Sequence, residues 1–416
     1  MSKNIAIVGA GTAGLQLGLY LLQNDVRPTL FTDRKPEEYR SSKLPNTVAH
    51  HAITIERERA LGVDHWPELR FPTLTVHVGG GEEELSFVGD LGEPSRVLDY
   101  RIYHPRLLED FEERGGEVIY REMSSETINA LGEQFDLVVV CTGKGSVRDM
   151  FPRDEQRSPF CKPQRLLCAG LFSGVTPPAE NTTLMTFVPG LGEVVEFPTF
   201  ATFGGRVTGL FIQSVPGSEQ EILTKQKYED DPRAFLKLTR EMLLKHHPAV
   251  GERIVEEEFD LADGPNDIIQ GALVPTVRKS HIFLDDGTLA LALGDLHVLN
   301  DPITGQGANI ASHAAWVLGE EIVRQDLFDD LFAETVDMRR SERLFSATRW
   351  TNYMLAALAS PEPPQELNRF IAAVSQNQAL ADEFIRNFNY PEEQWRCFAT
   401  PERVDVWTQR FESHAS

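Results

Sequence analysis

The stretch NIAIVGAGTAGLQLGLYLLQND, followed by PTLFTD, limits what this chain can become more than any other segment. A short apolar run feeds a glycine turn, leucines recur at helical spacing, and a second apolar run follows Asn24-Asp25. That is a β-α-β unit, the opening of a doubly wound α/β sheet. Within GAGTAG, Gly9 permits a tight turn, Gly11 lets a pyrophosphate approach the backbone, and Gly14 lets helix and strand pack closely. Thr12 and Ala13 open the helix, whose first amides and dipole suit phosphate oxygens. Asp33, 19 residues after Gly14, suits a ribose hydroxyl. The adjacent Arg34 suits a 2′-phosphate, so NADP stays open at this point.

A chain of 416 residues calls for two or three domains. Its net charge of -23 argues against a nucleic-acid partner, which needs a basic surface. No run approaches the roughly 18 apolar residues of a membrane span, and the start MSKNIAIVGA has none of the features of a secretory leader. Cys141, Cys161, Cys168 and Cys397 carry no zinc-type spacing and no disulfide density. A cytoplasmic protein without a metal site is expected.

Beyond the first unit, FPTLTVHVGGGEEELSFVG alternates around Gly79-Gly80-Gly81 and predicts a β-hairpin. YHPRLLEDFEERGGEVIYRE predicts a helix and a strand, and QFDLVVVCTGKG a buried parallel strand. Residues 165–225 read as a mostly antiparallel sheet, and the chain is helical from Asp329 with a break at SPEPP. The expected architecture is a discontinuous Rossmann-like domain (1–68, 96–160 and 283–328), an inserted antiparallel substrate domain (69–95 and 161–282), and a helical C-terminal region (329–416).

A second motif decides the dinucleotide. LALGDLHVLNDPITGQGANIASHAAW places Gly294 and Asp295 after an apolar strand, then Pro302, Gly305, Gly307 and Asn309 leading into a helix. A carboxylate at a strand end can hold the hydroxyls of a ribityl chain. A glycine-rich helix start can aim amides at a ring oxygen that turns negative when a flavin is reduced. The cofactor is FAD.

Together these motifs and the inserted sheet resemble the flavoprotein monooxygenases of the para-hydroxybenzoate hydroxylase fold. More narrowly, NTVAHHAITIERE, PSRVLDYRIY, VVVCTGKG, DPRAFL, ATRWTNY and NFNYPEEQW resemble the oxygenase subunits of the two-component styrene and indole monooxygenases, along essentially the whole chain. Where single-component hydroxylases carry an Asp-Gly signature, Thr142-Gly143-Lys144-Gly145 stand here. The resemblance therefore implies FADH2 supplied by a separate NADH-dependent flavin reductase, O2 as co-substrate, and a flavin C4a-hydroperoxide that epoxidises a styrene-type vinyl arene. A plain alkene needs no deprotonation, so a dry apolar pocket matters more than a general base. Indole epoxidation leading to indigo is the nearest alternative. A single-component NAD(P)H-dependent hydroxylase and a flavin-binding redox carrier are more distant ones, and a homodimer is left open.

The resemblance also distributes roles. Asn46, His50 and Pro302 face the reacting end of the flavin; Val48, His77 and Ser95 line the substrate. Gly9, Gly11, Thr12, Ala13, Gly14, Asp33, Arg34, Gly143, Gly294, Asp295, Gly305, Gly307 and Asn309 hold the cofactor. Lys43 and Arg101 reach its phosphates, against the plainer readings of a surface lysine and a structural ion pair. His51 reads as a solvated loop residue. Asn46, Val48 and His50 match the styrene type, while the hairpin offers Thr73 where that type has an aromatic.

Overall fold

The structure, a computed structural model, describes residues 3–79, 84–178 and 181–412. Two large sheets organise it. The first has six strands in the order His281–Phe283, Leu289–Ala292, Leu137–Val140, Ile5–Val8, Thr29–Thr32, Glu117–Tyr120. All are parallel except the His281–Phe283 edge. Its central strands IAIV, LVVV and LALA are buried throughout, as strands covered on both faces must be. One cover is the Thr12–Gln23 helix, which packs against the Gly307–Arg324 helix. Gly14 earns its place by close approach, since a Cβ there would sit 2.1 Å from the Gly9 carbonyl oxygen.

The second sheet has nine strands: Asp260–Leu261, Leu166–Ser173, Arg206–Ser214, Gly192–Phe200, Thr182–Val188, Phe71–Val78, Leu85–Asp99 and Thr47–His50 in order, with Ile268–Ala272 also on Leu166–Ser173. Pairing is antiparallel except between Phe71–Val78 and Thr182–Val188. The predicted hairpin corresponds to Phe71–Val78 and Leu85–Asp99; Gly80 and Gly81 of its turn lie outside the described residues. Leu85–Asp99 runs unbroken past residue 95 and pairs at its far end with Thr47–His50, so the segment after the Thr29–Thr32 strand joins the larger sheet.

Helices Asp330–Ala357, Gln365–Val374, Gln378–Arg386, Pro391–Phe398 and Pro401–Glu412 form the tail, with the break at 360–364 between the first two. Trp350, Phe370, Phe384, Phe398 and Trp407 join Leu74, Phe87, Phe197 and Phe211 of the sheet in one apolar cluster. At Gly89 a Cβ would lie 2.3 Å from Ile385, which fixes how tightly the tail presses on the sheet. No helix among the described residues is long and apolar enough to cross a membrane.

Candidate active site

A cavity of about 430 Å³ lies between the two sheets, within the usual range for small-molecule sites. At one end it is lined by Gly11, Thr12, Ala13, Gly294 and Asp295. At its waist stand Asn46, Thr47, Val48, Ala49, His51, Pro302, Gly305 and Gly307. The far end is the floor of the nine-stranded sheet, where Phe71, Leu74, Met185, Val195, Phe197 and Phe211 present apolar surface.

The first end and the waist fit a flavin dinucleotide. A Cβ on Gly11 or Gly307 would meet nothing within 4 Å, so both backbones border open space at helix N-termini. Gly9, at φ +112°, and Gly305, at φ +63°, make the turns that precede those helices. Asp295 opens onto the cavity with an accessible side chain, and the protein packed around it pushes its carboxyl up to about 6. Hydroxyl donors such as those of a ribityl chain would stabilise its charged form. Thr12 donates a 2.9 Å hydrogen bond to the Tyr100 hydroxyl, tying the phosphate turn to the Tyr100–Glu113 helix.

Several residues assigned from sequence lie elsewhere. His50 is fully buried outside the cavity lining, with Nδ1 2.9 Å from Glu58. Glu58 also accepts from Arg96 and from the Tyr103 hydroxyl, Arg96 continues to Asp64, and Tyr103 takes a bond from Gln16. His50 is part of that internal ion network. Lys43 is an exposed lysine 2.9 Å from Glu229. Arg101 is buried between Asp99 and Asp267 and donates to the Asn266 carbonyl, so its guanidinium is spent on holding the loop at 264–267. His77 pairs with Glu84 on the strand face opposite the inward Leu74 and Val76, as a period of two requires.

Asn309 acts as a clamp rather than as cavity lining. Its Nδ2 donates to the Ala49 and Gly305 carbonyls, and its Oδ1 accepts from the His51 amide and the Thr54 hydroxyl. It thereby locks the outer edge of the Thr47–His50 strand to the glycine loop. Asp33 is held by Lys144 at 2.6 Å; burial raises its pKa, but the Lys144 contact, with Arg34 behind it, outweighs this and lowers it. Arg34 stacks over Tyr39, and Gly143 packs near Leu296. Asn46, Val48 and Pro302 do line the waist, Ser95 sits just behind it, and Asn46 Oδ1 caps the Thr47 amide at 2.9 Å.

The residue that sequence reasoning set aside is His51. It is 4% exposed, lines the cavity, and accepts or donates a 3.0 Å bond through Nδ1 to Ser95. Its Nε2 has no partner among the described residues and lies 3.7 Å from where a Gly305 Cβ would be. Burial, with Arg343 and His50 adding to it, lowers its pKa to about 3, so the ring is neutral near pH 7. His104, on the cofactor side, is lowered to about 3 by the same dominant cause. Strand parity could not single out His51, because the cavity meets this segment along its edge and touches residues of both faces.

Residues 143–253 match the family model described as "Styrene monooxygenase A putative substrate binding domain". Over 412 residues the chain is 49% identical to styrene monooxygenase StyA of Pseudomonas fluorescens, covering 99% of both chains. It is 48% identical to styrene monooxygenase StyA of a Pseudomonas species, again over 99% of both. Among solved structures it resembles the flavin-dependent brominase Bmp2, with a TM-score of 0.66 at 15% identity over 99% of this chain and 98% of that one. It also resembles pqsL, "a probable FAD-dependent monooxygenase from Pseudomonas aeruginosa", with a TM-score of 0.60 at 14% identity over 86% of this chain and 97% of that one. The two structural likenesses concern the fold alone.

Proposed function

The chain belongs to the styrene monooxygenase family, and on that premise we propose that it is the FAD-dependent oxygenase component of a two-component system, epoxidising styrene-type vinyl arenes. The observation that carries this reading is a cavity with a glycine-built cofactor cradle at one end and an apolar sheet floor at the other. Bound as FADH2, the cofactor supplies the electrons that activate O2.

The protein's own residues hold, orient and keep dry. Gly11 and Gly307 admit phosphate and ring oxygens to helix amides, and Asp295 offers a carboxylate to hydroxyls. Asn309 fixes the Thr47–His50 edge beside the ring position, leaving Asn46, Val48 and Pro302 around the reacting end. His51 and His104 remain neutral, so neither offers a charged acid at the waist near pH 7. Phe71, Phe197 and Phe211 exclude water from the alkene. The lack of an aspartate in Thr142-Gly143-Lys144-Gly145 supports reduced FAD arriving from a separate NADH-dependent reductase.

Purified protein mixed with FADH2, O2 and equal amounts of styrene and indole tests the reading. Styrene oxide formed without NADH is the expected product. Stoichiometric H2O2 with no epoxide from any arene overturns it, and rapid NADH oxidation by the isolated chain points to a single-component enzyme.

A further inference from the structure

The apolar floor ends in a row of polar side chains that neither the fold nor the cofactor cradle uses up. Arg165, Gln213, Asn300 and Asp301 all line the cavity, and none is more than 6% exposed. The sheet register explains their grouping. Gln213 stands opposite Glu193 on one neighbour and Leu167 on the other, and Arg165 is two residues before Leu167, on the same face. Phe211 and Val195 are the next inward pair along that face, so the floor changes from apolar to polar within one step of the pleat.

The row is only partly paired. Arg165 Nε donates to both oxygens of Glu193, at 2.9 and 3.1 Å, and Nη1 donates to the Gln164 carbonyl at 2.9 Å. Gln213 Nε2 donates to Asp301 at 3.0 Å, and Asp301 also accepts from the Ile303 amide. Arg165 Nη2, Gln213 Oε1 and both amide atoms of Asn300 have no partner among the described residues. A desolvated donor and acceptor left over on residues that line one cavity call for a molecule that completes them. The charges are already opposed, Arg165 against Glu193 with Asp301 nearby, so neither an anion nor a cation gains from entering.

We infer that Arg165, Gln213 and Asn300 form a subsite for a neutral group that both donates and accepts, a hydroxyl above all, carried on the aromatic ring of the substrate. Its oxygen accepts from Arg165 Nη2 and its proton goes to Gln213 Oε1. The inference rests on the proposed epoxidase reading and narrows its substrate class from plain vinyl arenes to hydroxylated ones. An apolar ring fills the same floor but leaves these groups unmet.

Styrenes bearing hydroxyl or methyl at the same ring position, 3 or 4, give matched shapes that differ in hydrogen bonding. With FADH2 and O2, the hydroxyl compound is expected to show about tenfold higher kcat/KM at one position at least. Gln213→Met should cut that hydroxyl-to-methyl ratio about tenfold, which separates recognition from the intrinsic reactivity of the alkene. Should that variant not fold, Arg165→Lys keeps the charge toward Glu193, removes Nη2 and should lower the ratio in the same direction. Calorimetry with 3- and 4-ethylphenol against the ethyltoluenes, on protein loaded with oxidised FAD, reads the subsite without turnover. Tighter phenol binding with no epoxide from any arene leaves the subsite standing and removes the epoxidase reading. Styrene oxide formation with equal or better handling of the methyl compounds at both positions, in binding and in turnover, overturns the subsite.

Discussion

Two buried polar clusters flank the cavity, and they have opposite characters. Around Glu58, charges of both signs close on one another: His50 and Tyr103 on one oxygen, Arg96 on the other, and Asp64 beyond, with Glu58, His50 and Arg96 wholly buried and out of the cavity lining. Around Arg165, the ion pair to Glu193 is complete but the neighbouring donor and acceptors are left over, on a wall that a ligand reaches. Burial of polar groups is thus common to scaffold and site. Unpartnered nitrogens remain in both, His50 Nε2 and Arg96 Nε among them; what separates the clusters is whether the residues that carry them line a cavity.

The largest effect that could break this contrast is Glu58→Ala. Removing the carboxylate leaves the buried Arg96 with Asp64 alone opposite it and takes the acceptor from His50 and Tyr103, and about 3–5 kcal/mol of stability should be lost in denaturant unfolding. A loss under about 1 kcal/mol would mean that the cluster is not the scaffold element described.

The pH dependence of stability comes next, because His51 at the cavity waist and Glu193 in the Arg165 cluster titrate with opposite sign. His51 has its folded pKa lowered to about 3 from 6.5, so its contribution is present above about 6.5 and disappears as pH falls toward 3. Replacing it by asparagine should flatten that acid-side decline by on the order of a few kcal/mol, with His104 responsible for part of what remains. Glu193 has its folded pKa raised to about 7 from 4.5, by burial foremost and against the pull of Arg165. Its contribution is fully present below about 4.5 and is lost as pH rises through about 7. Glu193→Gln should therefore flatten the decline between those values, by roughly 1–3 kcal/mol, in urea melts run as a pH series. A steeper slope in either variant contradicts the assigned direction.

The smallest expected effect is at Lys43. With an exposed side chain engaged by Glu229, Lys43→Ala should change FAD affinity less than about twofold and stability by under about 0.5 kcal/mol. A tenfold weaker FAD complex would return the residue to the phosphate site.

What could be read from the sequence follows the same division. The glycine turns were legible because their constraint is local: Gly14 answers to the Gly9 carbonyl just before it, and Gly9 and Gly305 to their own positive φ. The alternation of FPTLTVHV and the apolar runs IAIV and LVVV likewise announced their strands. Charged residues near the motifs were not legible, because their partners are distant. Lys43 meets Glu229 186 residues on, and Arg101 meets Asp267 across 166. Gln213 did carry a signal, a long polar side chain inside the apolar run GLFIQSV, whereas Arg165 sits just before its strand, after the polar stretch KPQ. Their meaning depended on a register that brings two segments together across the sheet.

The tight seating of the tail on the sheet, marked by Gly89 against Ile385, bears on how this protein can be re-engineered. The stretch matched as a substrate-binding domain, residues 143–253, holds four of the nine strands and ends its pairing at Thr182–Val188, which needs Phe71–Val78 beside it. Its inward aromatics Phe197 and Phe211 share a core with Trp350 and Phe384 of the tail. It is not a portable cassette. A chimera that exchanges specificity between relatives has to carry residues 71–99, the strands at 260–272 that pair with Leu166–Ser173, and the helices from Asp330 onward with it, or it will present a raw sheet edge and an unroofed apolar face to solvent.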